Sequence, residues 1–196
     1  MKTFRVFGPT LGKGKLSNKA IEVINKFVDN TAISKKNDYS SKLASQIKNE
    51  IKLSNLFIKK NLSKELIKNI KKYLKNSDVS KIKEIKIINV WIVKQLQNEY
   101  NPIHYHEGQL SGVGYLKIPK KMNQNKMLKN KKIMTNGTID FVNGQKSFLS
   151  KSIYNLNPKV GDLVLFPNYL MHTAYPFNID DERRSFSFNV KIIFKK

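Results

Sequence analysis

Near Glu84 the spacing of apolar residues changes from helical to strand-like, which limits the chain to a helical part followed by a sheet-forming part. Before that point Ile21, Ile24 and Val28 recur at helical spacing in NKAIEVINKFVDN, with Ser17 placed to cap it, and Leu66, Ile67, Ile70 and Leu74 do the same in SKELIKNIKKYLKN. The intervening SSKLASQIKNEIKLSNLFIKK reads as a further amphipathic helix, and a short strand, TFRVFGP, precedes all three. After it come EIKIINVWIVKQLQ, LSGVGYLKI, GTIDFV, LVLFP and SFSFNVKIIF, rich in β-branched and aromatic residues and separated by Gly, Pro and Asn. Helices followed by a series of short strands predict an α+β chain, mainly β in its C-terminal half, with a β-sandwich or barrel there. The Lys/Asn/Met-rich stretch from Lys120 to Gly137 is weakly patterned and reads as an exposed loop, a candidate to lie over a site.

A chain of 196 residues holds one domain with a sizeable core. It contains no cysteine, which removes disulfides, thiolate metal sites and cysteine nucleophiles together, so any metal must be held by nitrogen and oxygen. No apolar run reaches membrane-spanning length, and the N-terminus lacks the apolar core of a secretory signal. A soluble, cytoplasmic protein is expected. The net charge of +23 raises nucleic acid as a partner, yet only Arg5, Arg183 and Arg184 among the 37 basic residues are arginine. Specific phosphate recognition favours the guanidinium fork, whereas a Lys/Asn/Ile bias is what an A+T-rich coding sequence produces. A solvated basic surface is therefore preferred over a nucleic-acid interface.

The chain has three histidines, and all lie beside strand ends: His104 and His106 in NPIHYHEGQLSGVGYL, and His172 in GDLVLFPNYLMHTAYPF. On a strand, residues two apart share a face, so His104 and His106 would project together and His172 could complete three ligands on one side of an ion. Such a set leaves opposite positions open and suits non-haem iron or, less specifically, zinc, copper or nickel. A single His-x-His arises often by chance; the placement of every imidazole of the chain in two such segments raises its weight.

The closing stretch ERRSFSFNVKIIF adds a second signal. As a strand it sets Arg183, Ser185, Ser187 and Asn189 on one face and Arg184, Phe186, Phe188 and Val190 on the other. A polar row opposite an aromatic row makes sense where the polar face lines a cavity, and Arg183 with Ser185 would offer a guanidinium and a hydroxyl to a carboxylate ligand. The bland alternative is a solvated arginine pair beside Asp180, Asp181 and Glu182.

The segments HYHEGQLSGVGYL, GDLVLFPNYLMH and RRSFSFN, in this order, resemble the iron(II)- and 2-oxoglutarate-dependent oxygenases of double-stranded β-helix (jelly-roll) fold. The resemblance covers the C-terminal half and implies helical support over about 1–83 with a jelly-roll core over about 84–196. It implies iron held by His104, His106 and His172. It further implies 2-oxoglutarate held by Arg183 with Ser185, and Tyr115 as a hydrogen-bond donor to that cosubstrate; ascorbate would be an accessory reductant. The wider superfamily has a carboxylate two residues after its first histidine, where this chain has His106. Glu107, re-aimed by a bulge, and a set starting at His106 with Gly108 in the carboxylate position stay open as alternatives. The implied reaction hydroxylates a C–H bond with release of succinate and CO2, on a protein side chain, a small metabolite or a nucleobase. The rivals are a non-catalytic, metal-binding cupin-like jelly roll and an oxygenase directed to nucleic acid by the lysine surface.

Overall fold

A computed structural model describes residues 1–5, 8–32, 34, 36–122, 135–146, 148 and 151–195. Most of the loop expected at Lys120–Gly137, namely 123–134, lies outside the described residues. The elements run β1 (Lys2–Arg5), β2 (Thr10–Lys15), α1 (Asn18–Asp29), a 3-10 turn (Ser40–Lys42), β3 (Asn49–Lys52), α2 (Asn55–Asn61), α3 (Ser63–Asn76), β4 (Ile82–Gln95), β5 (Asn101–His104), β6 (Leu110–Lys117), β7 (Ile139–Val142), β8 (Ile153–Leu156), β9 (Asp162–Pro167), β10 (Met171–Ala174) and β11 (Arg183–Phe194). They form two antiparallel sheets, one ordered β1-β2-β9-β6-β11-β4-β3 and the other β5-β10-β7-β8.

The large sheet is covered on both faces. On one face Leu163, Leu165, Phe186, Phe188 and Val190 pack against Ala20, Ile24 and Val28 of α1 and Leu66, Ile70 and Tyr73 of α3. On the other, Leu11, Tyr115, Val164 and Phe166 meet Ile139, Phe141 and Leu156 of the small sheet. The glycines of SGVGYL belong to the helix-side core: a β-carbon at Gly112 or Gly114 would lie 2.4 Å from the Phe188 or Phe186 ring, so the two aromatic side chains fill the space glycine leaves. Ser17 caps α1 through the Ala20 amide at 3.2 Å, and Glu65 of α3 accepts bonds from both the Ser17 amide and its hydroxyl, tying the two helices together.

The helix expected over 40–60 is corrected: it divides into the 3-10 turn, β3 and the short α2 capped by Ser54. Asn49–Lys52 pairs with β4 instead, because the exposed edge there satisfies its backbone while Glu50 and Ile51 are buried on opposite faces. Strands β1, β2 and β3, all before residue 84, join the large sheet, so this layer draws on the whole chain. In β2 the sequence TLGKGK lacks apolar alternation because α3 approaches its glycines closely; a β-carbon at Gly12 would stand 2.6 Å from the Tyr73 ring. Among the described residues no helix is long and apolar enough to cross a membrane.

Candidate metal and cosubstrate site

His104 ends β5, His172 lies in β10, and the two are register partners across the antiparallel pair. His106 is past the end of β5, so the shared strand face expected for His104 and His106 is not what unites them. A clasp does so: the His106 amide donates to the Asn168 carbonyl at 3.0 Å and the Asn168 side-chain amide donates to the His106 carbonyl at 3.1 Å. The β9–β10 turn that leads into His172 thereby also holds His106. Ring centroids are 5.1 Å apart for His104 and His106, 4.3 Å for His104 and His172, and 4.8 Å for His106 and His172.

Each Nδ1 faces an oxygen acceptor. His104 donates to the Pro102 carbonyl at 2.7 Å, His172 to the Leu170 carbonyl at 2.9 Å, and His106 to Asn189 Oδ1 at 3.0 Å. These bonds fix the Nδ1–H tautomer and leave three Nε2 lone pairs without a donor role. Burial lowers all three imidazole pKa values; for His106 burial and then the charge of His104 bring it to about 4, and His172 falls well below its usual range. The three are thus neutral near pH 7, the state in which imidazole binds metal. Nε2 of His104 and Nε2 of His106 stand 3.1 Å apart. Two lone pairs at that distance repel unless a cation lies between them, and nitrogen ligands at about 2.1 Å and right angles to each other are separated by about 3.0 Å. The donor set therefore fits a divalent first-row ion. His104, His106 and His172 are the group that could hold a metal among the described residues; Glu107 is exposed and outside it, and Gly108 has φ +90°.

Beside the histidines is a cavity of about 520 Å³ whose lining includes Tyr115, Arg183, Ser185, Ser187 and Asn189. The two faces of β11 divide as the alternation predicts. Arg184 turns to the helices, where its guanidinium pairs with Asp29 at 2.7 Å and bonds Asn25 Oδ1 at 3.0 Å. Arg183 turns to the cavity and is 3% exposed; its Nη1 donates to the Gly137 carbonyl at 2.6 Å, and its Nε is buried with no partner among the described residues. Burial lowers its pKa, opposed by nearby Tyr115, and no carboxylate pairs with it among the described residues. A buried guanidinium bonded, among the described residues, to one carbonyl is costly, and a carboxylate ligand would supply what it lacks. Ser185 and Tyr115 are register partners on β11 and β6, next to it in the same sheet, and Tyr115 is fully buried with its phenol pKa raised by that burial.

Asn189 is a site residue that sequence reasoning left as one polar member of a strand face. Its Oδ1 accepts from both His106 Nδ1 and the buried Ser111 hydroxyl at 3.0 Å each, so it orients an imidazole from the large sheet. Asn189→Leu should retain the fold and weaken iron(II) binding about 10–100-fold, measured by anaerobic calorimetric titration. Trp91 of β4 was equally unmarked; its ring centroid is 5.7 Å from those of His106 and Tyr39.

The family model described as "Putative 2OG-Fe(II) oxygenase" matches residues 89–189, more than half of the chain and all three histidines. No curated protein matches the sequence. Among solved structures, a viral collagen prolyl hydroxylase from Paramecium Bursaria Chlorella virus-1, in complex with 2OG, is similar with a TM-score of 0.60 at 15% identity, over 93% of this chain and 96% of that one. A Pseudomonas putida prolyl-4-hydroxylase aligns with a TM-score of 0.55 at 11% identity, over 95% and 93% of the two chains. Iron-bound HygX from Streptomyces hygroscopicus gives 0.58 at 10% identity, over 95% and 82%. At such identities these likenesses speak for the fold, and the family match for the chemistry. The chain belongs to the 2OG-Fe(II) oxygenases, oxidoreductases that use iron(II) and 2-oxoglutarate.

Proposed function

We propose that His104, His106 and His172 hold the iron, that Arg183 with Ser185 and Tyr115 holds the distal carboxylate of 2-oxoglutarate, and that the two sheets form the double-stranded β-helix typical of this family. The reading rests chiefly on one observation: three neutral imidazoles with their Nδ1 atoms tied back border a cavity whose large-sheet wall carries a buried guanidinium Nε that has no partner among the described residues. The iron, when bound, supplies oxygen activation coupled to decarboxylation of 2-oxoglutarate to succinate and CO2, and the product is a hydroxylated C–H position. The chain's own part is placement. Pro102, Leu170 and Asn189 aim the imidazoles, Arg183 fixes the cosubstrate by a charge-assisted pair, and Phe141 and Phe166 flank His172 and limit water around it. The similar structures include hydroxylases of prolyl residues and HygX with hygromycin B bound, so a protein side chain or a small molecule is the substrate class favoured here.

Anaerobic titration of the purified chain with iron(II) and then 2-oxoglutarate tests the assignment. A visible metal-to-ligand charge-transfer band should grow in and saturate at one equivalent of each, and admission of air should yield succinate. Iron binding with no band on adding 2-oxoglutarate would mean that the cosubstrate does not chelate there.

A further inference from the structure

The cavity extends past the histidines to a wall that the oxygenase chemistry does not use. It is built by β3 and the segment before it: Tyr39, Ile47 and Glu50, with Trp91 and Asn89 from β4. Glu50 is 1% exposed, yet among the described residues its carboxylate has one hydrogen-bond partner, the Ser45 hydroxyl, and no ion pair. Asn89 donates its amide to the Tyr39 hydroxyl at 3.1 Å, while its Oδ1 is buried without a partner among the described residues. This wall therefore presents a carboxylate and an amide oxygen, both acceptors, next to two aromatic rings whose centroids are 5.7 Å apart. Lysine ammonium groups already lie near the Tyr39 ring, Lys42 at 5.9 Å and Lys52 at 5.5 Å from its centroid, but neither is in ion-pair contact with Glu50. Among the described residues none of the chain's many cations reaches Glu50, so this buried group either holds a proton or takes a cation from outside.

We propose that this recess is a subsite for a protonated nitrogen of the substrate, an ammonium or guanidinium group held by Glu50 and Asn89 Oδ1 against the faces of Tyr39 and Trp91. It rests on the oxygenase reading for its purpose, since a cation anchored there would leave the adjoining carbon chain to extend toward the histidines. A metal ion fits less well, because this wall offers few oxygens and two ring faces, the pattern that suits organic cations. Burial raises the Glu50 pKa to about 7; the Ser45 hydroxyl opposes this, and Glu99 and Asp38 add to it. An entering cation would favour the charged carboxylate and so be drawn to a group that is otherwise partly protonated.

Trp91 is the single tryptophan of the chain, so its fluorescence reports directly on this recess. The full chain, without iron, is titrated with n-butylammonium and n-butylguanidinium and with 1-butanol and butyrate as neutral and anionic counterparts. The cations should change Trp91 emission saturably and bind at least about tenfold more tightly than either counterpart, and Glu50→Gln should remove most of that preference. Equal binding of cation and alcohol, or unchanged cation affinity in Glu50→Gln, overturns the proposal. Should Glu50→Gln lose its native circular dichroism, Tyr39→Leu, at a half-buried position, carries the same test: cation affinity falls, or the subsite is wrong. The iron and 2-oxoglutarate band is read separately, so cation binding without that band would refute the oxygenase ligand assignment and leave the subsite standing.

Discussion

His172→Ala should abolish the iron(II) and 2-oxoglutarate charge-transfer band and all succinate formation at metal concentrations that saturate the unaltered chain. Loss of a direct ligand exceeds the loss of an orienting partner, so the iron affinity is expected to fall by more than about 100-fold. The effect should be local. His172 is neutral, 8% exposed and packed against the rings of Phe141 and Phe166, so alanine leaves a small void without stranding a charge. Near-native iron affinity in a folded variant would remove His172 from the ligand set, and with it the three-histidine arrangement.

Arg183→Met should raise the 2-oxoglutarate concentration needed for half-saturation by about 10–150-fold, the equivalent of one charge-assisted pair worth about 1.5–3 kcal/mol, while iron still binds. The stability of this variant is a separate signature. Without a ligand the Arg183 guanidinium is buried with, among the described residues, only the Gly137 carbonyl as partner, so an apolar replacement of similar length should leave the free protein at least as thermostable as the parent. The rise in melting temperature that 2-oxoglutarate gives the parent should then be absent. An undiminished 2-oxoglutarate affinity would show that the cosubstrate carboxylate lies elsewhere.

The parts of this molecule that were legible in the sequence are those in which one local rule sets the side-chain direction. In β11 the period of two separates Arg183, Ser185, Ser187 and Asn189 from Arg184, Phe186, Phe188 and Val190, and the structure divides them in that way. The three histidines were also found, because chemistry-bearing residues in short strand-end segments are conspicuous. How they are brought together was not. His106 owes its position to the clasp with Asn168, a residue whose partner is 62 positions away, and no local pattern encodes such a bond. Residues 40–60 failed for a different reason. Leu43, Ile47 and Ile51 satisfy a helical period, but pairing with β4 outweighs that propensity, and the wall holding Glu50 was thereby hidden. Strand β2 was missed because its glycines answer to Tyr73 and Asn69 across the core, a demand made from outside the segment.

Arg183 and Arg184 are chemically identical neighbours with opposite allegiances, one turned inward to the hollow and the other bound to Asp29 on α1. Deleting or inserting a single amino acid between Arg184 and Asn189 would exchange their faces, sending a helix-anchoring cation into the hollow and drawing the guanidinium proposed to hold the cosubstrate out toward the helices. The spacing along this stretch is thus a more stringent requirement than the identity of most residues in it, and natural variants should tolerate altered lysines on the exterior far better than a change of length here.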